Sequence, residues 1–144
     1  MSQLLDRIFD VPLSKSAREA DMAARIGHLD DKRNIAGFAT GIEHITNKSA
    51  ALLQADSIFI AVALFALQSG LPRILSSVAL VLLTTSCLLL ASNLRSVWPR
   101  APAGDDQAQF RLVYSLRVRR GLAFNFALYL FYAGVAVLAA SAFV

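Results

Sequence analysis

Three long apolar runs dominate the pattern of hydrophobic and polar positions along the chain. They cover residues 50–68, 74–91 and 122–144. Each approaches the roughly 20 apolar residues that a helix needs to cross a hydrocarbon core about 30 Å thick. Gly70 and Pro72 favour a tight turn between the first two runs. The pattern predicts an all-α integral membrane protein with three transmembrane helices.

The segment before the first run shows a different helical pattern. Ser16 and Glu19 have the spacing of a capping box, which predicts a helix from about Ala17. Apolar positions then follow at steps of mostly three or four residues: Met22, Ile26, Leu29, Ile35, Phe38, Ile42, Ile45 and Leu52. We therefore expect an N-terminal amphipathic helix within residues 1–48, running into the first span without a strong breaker. A membrane domain of residues 49–144 would follow, with a loop over residues 92–121.

The basic residues predict the orientation of these elements. Seven lie before the first span and six lie in the 92–121 loop: Arg7, Lys15, Arg18, Arg25, Lys32, Arg33 and Lys48, then Arg95, Arg100, Arg111, Arg117, Arg119 and Arg120. The hairpin turn carries only Arg73, and no basic residue follows the third span. Because basic loops stay in the cytoplasm, we expect a cytoplasmic N-terminus and second loop, and a C-terminus on the far side.

Composition and charge narrow the classes of protein further. Hydrophobic residues make up 56% of the 144 residues, more than a soluble domain of this size is expected to carry. The net charge of +4 comes from residues that flank the apolar runs, which suits anionic lipid headgroups rather than nucleic acid. Cys87 is the only cysteine, so a disulfide framework is excluded. A charged opening segment also argues against a cleavable secretory signal.

No residue pattern indicates an enzyme, a metal site or a bound cofactor. His28 and His44 are too far apart to ligate a metal from one helix face, and neither has a cysteine nearby. Asp56 is the most informative polar residue, because a carboxylate in mid-bilayer costs about 2.5–3.5 kcal/mol. It is either a lining or gating group between helices, or a headgroup-level carboxylate paired with Arg119 or Arg120. The second interpretation is slightly favoured.

Other polar and small residues admit two interpretations each. Arg117, Arg119 and Arg120 are primarily topology anchors, but their paired donors also suit an anionic ligand such as a nucleotide phosphate. Gly37 and Gly41 either allow close helix packing or merely soften the helix. Several polar and small residues in spans two and three are expected to bond or pack between helices: Thr84, Thr85, Ser86, Asn125, Ala133, Gly134, Ala136, Ala139 and Ala140.

Three short motifs occur in order along residues 42–144. They are the passage from Thr46 to Leu53 entering the first span, Trp98-Pro99-Arg100 after the second span, and the basic run Arg117 to Arg120 before the third. In this layout the chain resembles the transmembrane Pycsar effector proteins of bacterial antiphage defence.

The resemblance implies an effector in the bacterial inner membrane, encoded beside a cyclase that makes a cyclic pyrimidine nucleotide on infection. Lys48, Trp98, Pro99 and Arg100 carry over as motif matches, without catalytic roles. The leading hypothesis is thus a homo-oligomeric effector that impairs the membrane when triggered. Its candidate ligand or gating residues are Lys48, Asp56, Arg117, Arg119 and Arg120.

Two other hypotheses compete with the effector. The first is a small non-catalytic accessory subunit that docks on a larger membrane complex through the N-terminal helix stripe. The second is a membrane enzyme, which ranks third because catalysis at a membrane normally needs clustered polar groups.

Overall fold

A computed structural model of the chain describes residues 15–26, 32–69, 72–94 and 106–143. These residues form four α-helices and no strand: α1 over Lys15–Ile26, α2 over Lys32–Gln68, α3 over Arg73–Leu94 and α4 over Asp106–Ser141. Helices α2, α3 and α4 are each long and apolar enough to cross a membrane. The predictions of an all-α fold and of three candidate spans are therefore confirmed.

Two helix boundaries differ from the expected ones. Helices α1 and α2 are described separately, and residues 27–31, which would join them into one long helix, lie outside the described residues. Helix α4 begins at Asp106, so the second half of the segment expected to be a loop is helical. Its apolar residues, from Phe110 to Val118, recur at helical spacing, and this period was overlooked because arginines interrupt it.

The contacts divide the chain into two compact units. The first, called the α1 unit, contains α1, residues 32–46 of α2 and residues 106–122 of α4. The second, called the span unit, contains the rest of α2, all of α3 and the rest of α4. Helices α2 and α4 therefore contribute residues to both units.

Large apolar side chains form the core of the α1 unit. Phe110, Val113, Tyr114 and Val118 of α4 are buried together with Ile42 of α2. Partly buried residues pack against this cluster: Met22, Leu116 and Leu122. Met22 and Ile42 belong to the apolar stripe of the sequence, so these two residues of the stripe face a core within the chain.

Small and polar side chains share the interior of the span unit with a few large apolar ones, among them Leu83, Leu90 and Phe131. On each of its three helices, a buried small or polar residue recurs every seven positions. We call these nine residues the seam: Ser49, Asp56 and Ala63 on α2, Ala79, Ser86 and Asn93 on α3, and Ala127, Gly134 and Ser141 on α4. A seven-residue repeat keeps one face of a helix against its neighbours, as in left-handed helix packing.

Gly134 marks the tightest approach along the seam. A Cβ atom at this position would lie 2.8 Å from Leu83 Cγ and 3.4 Å from Leu82 Cβ. The backbone of α4 at Gly134 is therefore in close contact with side chains of α3. Helices in lipid associate through close packing of small residues, because moving apolar surface from lipid into a protein interior brings no hydrophobic stabilisation. The other small residues proposed for span three are outside the seam, and Ala133, Ala136 and Ala139 are exposed.

The outer surface of the span unit is apolar. Large hydrophobic side chains on all three helices are exposed: Ile58, Val62, Leu64, Phe65, Ile74, Val78, Val81, Leu88, Phe126, Tyr129 and Tyr132. A soluble monomer rarely exposes so much contiguous apolar surface. Lipid contact accounts for it, in keeping with the length of the three helices.

Candidate functional site

Asp56 lies within the seam, where α2, α3 and α4 meet. Its side chain is 0% exposed. Ser86 Oγ on α3 lies 2.6 Å from Asp56 Oδ2, a short hydrogen bond across two helices. The same Ser86 Oγ lies 2.9 Å from the backbone carbonyl oxygen of Ala127 on α4. The hydroxyl group of Ser86 therefore connects a carboxyl group on one helix to a carbonyl group on another.

The second carboxyl oxygen of Asp56 has no polar contact. Among the described residues, no hydrogen-bond partner lies near Asp56 Oδ1, although the atom is shielded from solvent. A buried oxygen without a donor costs about 1–3 kcal/mol, and more if it carries charge. Asp56 therefore does not improve the stability of the fold as a well-packed apolar residue would, which favours a functional role.

Ser86 fixes the depth of Asp56 within the span. It lies eight residues before Leu94, the last residue of α3, which corresponds to about 12 Å at 1.5 Å per residue. A helix of 22 residues is about 33 Å long, close to the thickness of the hydrocarbon core. The contact with Ser86 thus supports the interhelical interpretation of Asp56, which the sequence analysis ranked below a carboxylate at the headgroups.

A second polar contact lies one heptad from Asp56. Ser49 is 0% exposed, and Asn93 Nδ2 donates to its hydroxyl oxygen over 3.4 Å. The sequence analysis identified neither residue, because each lies near the edge of an apolar run. The sequence feature that could have revealed them is the seven-residue spacing. Ser49 and Asp56 share one face of α2, Ser86 and Asn93 share one face of α3, and the two faces are in contact.

Of the three hydroxyl residues expected to bond between helices in span two, only Ser86 is buried. Thr84 and Thr85 are exposed, and Thr85 Oγ1 donates to the carbonyl oxygen of Val81 in its own helix. A threonine can satisfy its hydroxyl group in this way while facing lipid. The polar run Thr84 to Ser86 is therefore not a continuous polar lining.

In the α1 unit, the arginine run of α4 is divided between two faces. Arg120 is buried, and its guanidinium donates to Thr46 Oγ1 on α2 over 3.4 Å. Arg117 of α4 also faces α2, where a Cβ atom added at Gly41 would lie 3.5 Å from Arg117 Nε. Gly41 is thus a packing position, whereas Gly37 has nothing within 4 Å of its Cβ position.

Arg119 faces a different neighbour, helix α1. It lines a groove of about 580 Å³ between α1 and α4. Residues of both helices form the groove: Arg18, Glu19 and Met22 of α1, and Tyr114, Ser115, Val118, Arg119 and Leu122 of α4. The structure therefore brings Arg119 together with Arg18, a residue that the sequence analysis counted only toward orientation.

Tyr114 connects the two walls of this groove. Its hydroxyl group donates to Asp21 Oδ2 over 2.7 Å, which joins α4 to α1 through a charge-assisted hydrogen bond. The tyrosine ring also stacks on Phe110, with ring centroids 6.2 Å apart. The groove thus combines two guanidinium groups, the carboxyl group of Glu19, two hydroxyl groups and an apolar floor.

Lys48 belongs to neither the seam nor the groove. Lys48 is exposed on α2, while Trp98, Pro99 and Arg100 lie outside the described residues. His44 is exposed and His28 is not described. In the part of the chain that the structure describes, no group of three His, Cys, Asp or Glu side chains is placed to hold a metal ion.

Comparison with known proteins adds no relative to this geometry. No protein-family model, curated protein or solved structure gives a significant match to the chain. The likeness to Pycsar effectors therefore rests on the motifs of the sequence, and the functional argument rests on the seam and the groove.

Proposed function

We propose that this chain is a signal-triggered effector of the bacterial inner membrane, which impairs that membrane when a ligand binds its cytoplasmic part. The observation that carries the proposal is the buried carboxyl group of Asp56 within the seam. A helical anchor needs no such group, since a carboxylate inside a span costs about 2.5–3.5 kcal/mol. Ionisable residues retained inside spans commonly mark pathways for ions or gating elements.

The α1 unit supplies a candidate ligand site for this function. We expect this unit on the cytoplasmic side by the positive-inside rule, because the hairpin turn on the other side carries only Arg73 among the 14 basic residues. Arg18 and Arg119 in the groove suit a phosphate group. The hydroxyl oxygens of Tyr114 and Ser115, whose protons are donated to Asp21 and Leu112, and the carboxyl group of Glu19 can accept hydrogen bonds from a sugar or a base. A cyclic pyrimidine nucleotide, the ligand class that the resemblance implies, contains a phosphate group, a sugar and a base.

In this proposal, the span unit is the part that impairs the membrane. If ligand binding shifts α4, the seam is the surface along which α2, α3 and α4 separate, and separation exposes the polar groups of Ser49, Asp56 and Ser86. Several copies would then surround a polar path, as a homo-oligomer.

The test measures membrane potential with a voltage-sensitive dye in bacterial cells that express the chain. A cyclase supplies cyclic CMP or cyclic UMP in one set of cells and is inactive in the other. We expect collapse of the potential only with the nucleotide. Arg119→Glu should prevent the collapse, because it reverses a charge in the groove, whereas Arg111→Glu on the exposed face of α4 should not.

Two results would contradict the proposal. The first is an unchanged potential in cells where the native chain is confirmed to be in the membrane and the nucleotide is present. The second is equal loss of response in both arginine variants, which would indicate a general effect of charge rather than a ligand site.

A non-catalytic accessory subunit is the second candidate, and one surface favours it. On α2, Ser57 and Ala61 lie four residues apart on the exposed face, flanked by Ile58, Val62 and Phe65 in a shallow groove. Two small residues at this spacing commonly seat another transmembrane helix. A stoichiometric foreign protein in a detergent pull-down would support the subunit, and homo-oligomers alone would favour the effector.

A further inference from the structure

The contacts of Ser86 require one more proton than its hydroxyl group provides. Ser86 Oγ lies within hydrogen-bond distance of two oxygens, Asp56 Oδ2 at 2.6 Å and the Ala127 carbonyl oxygen at 2.9 Å. The carbonyl oxygen accepts only, and the serine hydroxyl group has a single proton to donate. With an ionised Asp56 carboxylate, both neighbours are acceptors, and one of the two contacts brings two oxygens together with no proton between them.

A neutral carboxylic acid removes this conflict. If Asp56 Oδ2 carries a proton, it donates to Ser86 Oγ, and Ser86 Oγ then donates to the Ala127 carbonyl oxygen. Both short contacts become hydrogen bonds in a single chain from α2 through α3 to α4. The partnerless Oδ1 is then a neutral carbonyl oxygen, whose burial costs far less than that of a charged one.

Among the described residues of the span unit, no counter-charge lies beside Asp56 to favour the ionised form. From α3, the titratable neighbour is Cys87, and the one charged residue of that helix, Arg73, is exposed at its start. From α4, residues 123–141 include no charged side chain.

Helix α2 contributes Lys48, which is exposed and lies eight residues away, about 12 Å along the helix. The two tyrosines of α4 in this unit, Tyr129 and Tyr132, are themselves exposed. A buried charge without a partner costs several kcal/mol, so the seam disfavours the carboxylate.

We propose that Asp56, Ser86 and the Ala127 carbonyl group form a proton-binding site that holds Asp56 as a neutral acid and joins the three spans. When the proton leaves to a base in the solvent, the Ser86 hydroxyl group turns to the carboxylate and its bond to α4 is lost. The site does not depend on the nucleotide groove, and it holds whether the chain is an effector or a subunit.

Infrared spectroscopy of the full chain in lipid vesicles tests the site, because protonated and ionised carboxyl groups absorb at different frequencies. Of the ten acidic residues, Asp56 is the only one between Glu43 and Asp105. Carboxyl groups in water are ionised at neutral pH. We therefore expect a protonated carboxyl band at pH 7 in the native chain that disappears in Asp56→Asn.

Two further variants complete the experiment. Ser86→Ala should shift the band, since it removes the acceptor of the acid proton, and Glu43→Gln, at an exposed position, should leave it unchanged. Asn at position 56 retains a donor for Ser86, so the fold should persist without the ionisable group. A native spectrum with no protonated carboxyl band at pH 7, or a band that survives in Asp56→Asn, would overturn the proposal. Neither result bears on the nucleotide response, so the two proposals fail separately.

Discussion

The α1 unit and the span unit differ in how much of the contact between their helices is made by small and polar side chains. In the α1 unit, Phe110, Val113 and Tyr114 fill the interior, as in a soluble domain. In the span unit, the small and polar residues of the seam lie beside buried Leu83, Leu90 and Phe131, and many large apolar residues face outward. The difference follows from the solvent: burying apolar surface stabilises a fold in water, but lipid is already apolar.

Polar side chains are distributed accordingly. In the α1 unit, the bond from Tyr114 to Asp21 is only partly buried, so water can solvate both groups if it opens. In the span unit, Asp56 and Ser86 are fully buried, so the protein shields their bond from solvent. Polar bonds are therefore optional supports in the first unit and specific determinants of helix contact in the second.

Truncation of the largest side chain in the α1 core should produce the largest effect. Phe110 is 2% exposed, so Phe110→Ala should lower the free energy of unfolding by about 3–5 kcal/mol through lost burial and a cavity. Leu112→Ala is the matched control, since Leu112 lies two residues away and is 39% exposed. Its cost should stay near 1 kcal/mol or below.

Thermal unfolding in detergent, followed by circular dichroism, measures both variants. Equal destabilisation by the two would mean that large buried side chains do not hold the α1 unit together. The contrast between the units would then be lost.

Replacing a glycine by alanine should change the free energy of unfolding in opposite directions in the two units. At Gly134 a Cβ atom would meet Leu83 Cγ at 2.8 Å, so Gly134→Ala should cost about 1–3 kcal/mol by overpacking. At Gly41 the nearest atom, Arg117 Nε, would be 3.5 Å away, which is an ordinary contact. Gly41→Ala should therefore stabilise its helix by about 0.5–1 kcal/mol.

The readout is again the unfolding midpoint in detergent. A lower midpoint for Gly134→Ala with a higher one for Gly41→Ala would sharpen the comparison. Stabilisation by both substitutions would show that α3 and α4 are not in tight contact at Gly134.

The sequence was sufficient to predict the spans but not the way they pack. Hydropathy and helix length depend on local composition, so the three apolar helices and α1 follow directly from the residues. The inward face of each span does not, because nearly every position in an apolar run suits lipid. Thr84 and Ser86 illustrate this: both are polar and two residues apart, yet one is exposed and the other bonds Asp56.

The groove of the α1 unit was also beyond local reasoning. Arg117, Arg119 and Arg120 are close in sequence, but the helical period directs Arg119 to α1 and the other two to α2. A helical projection of residues 106–122 would have separated them. It would not have identified Arg18 as the neighbour of Arg119, because that pairing depends on tertiary contact between α1 and α4.

The smallest expected effect tests whether polar pairs in the seam act specifically. Asn93 Nδ2 and Ser49 Oγ are 3.4 Å apart, a long hydrogen bond, and such bonds between membrane helices contribute about 0.6 kcal/mol. In a double-mutant cycle, Ser49→Ala and Asn93→Ala should therefore couple by about 0.6 kcal/mol. Ser92 supplies the control, since it is exposed and donates to Leu89 in its own helix, so that Ser92→Ala and Ser49→Ala should be additive. Coupling in the control pair, or none between Ser49 and Asn93, would mean that small size alone, and not polarity, defines the seam at this level.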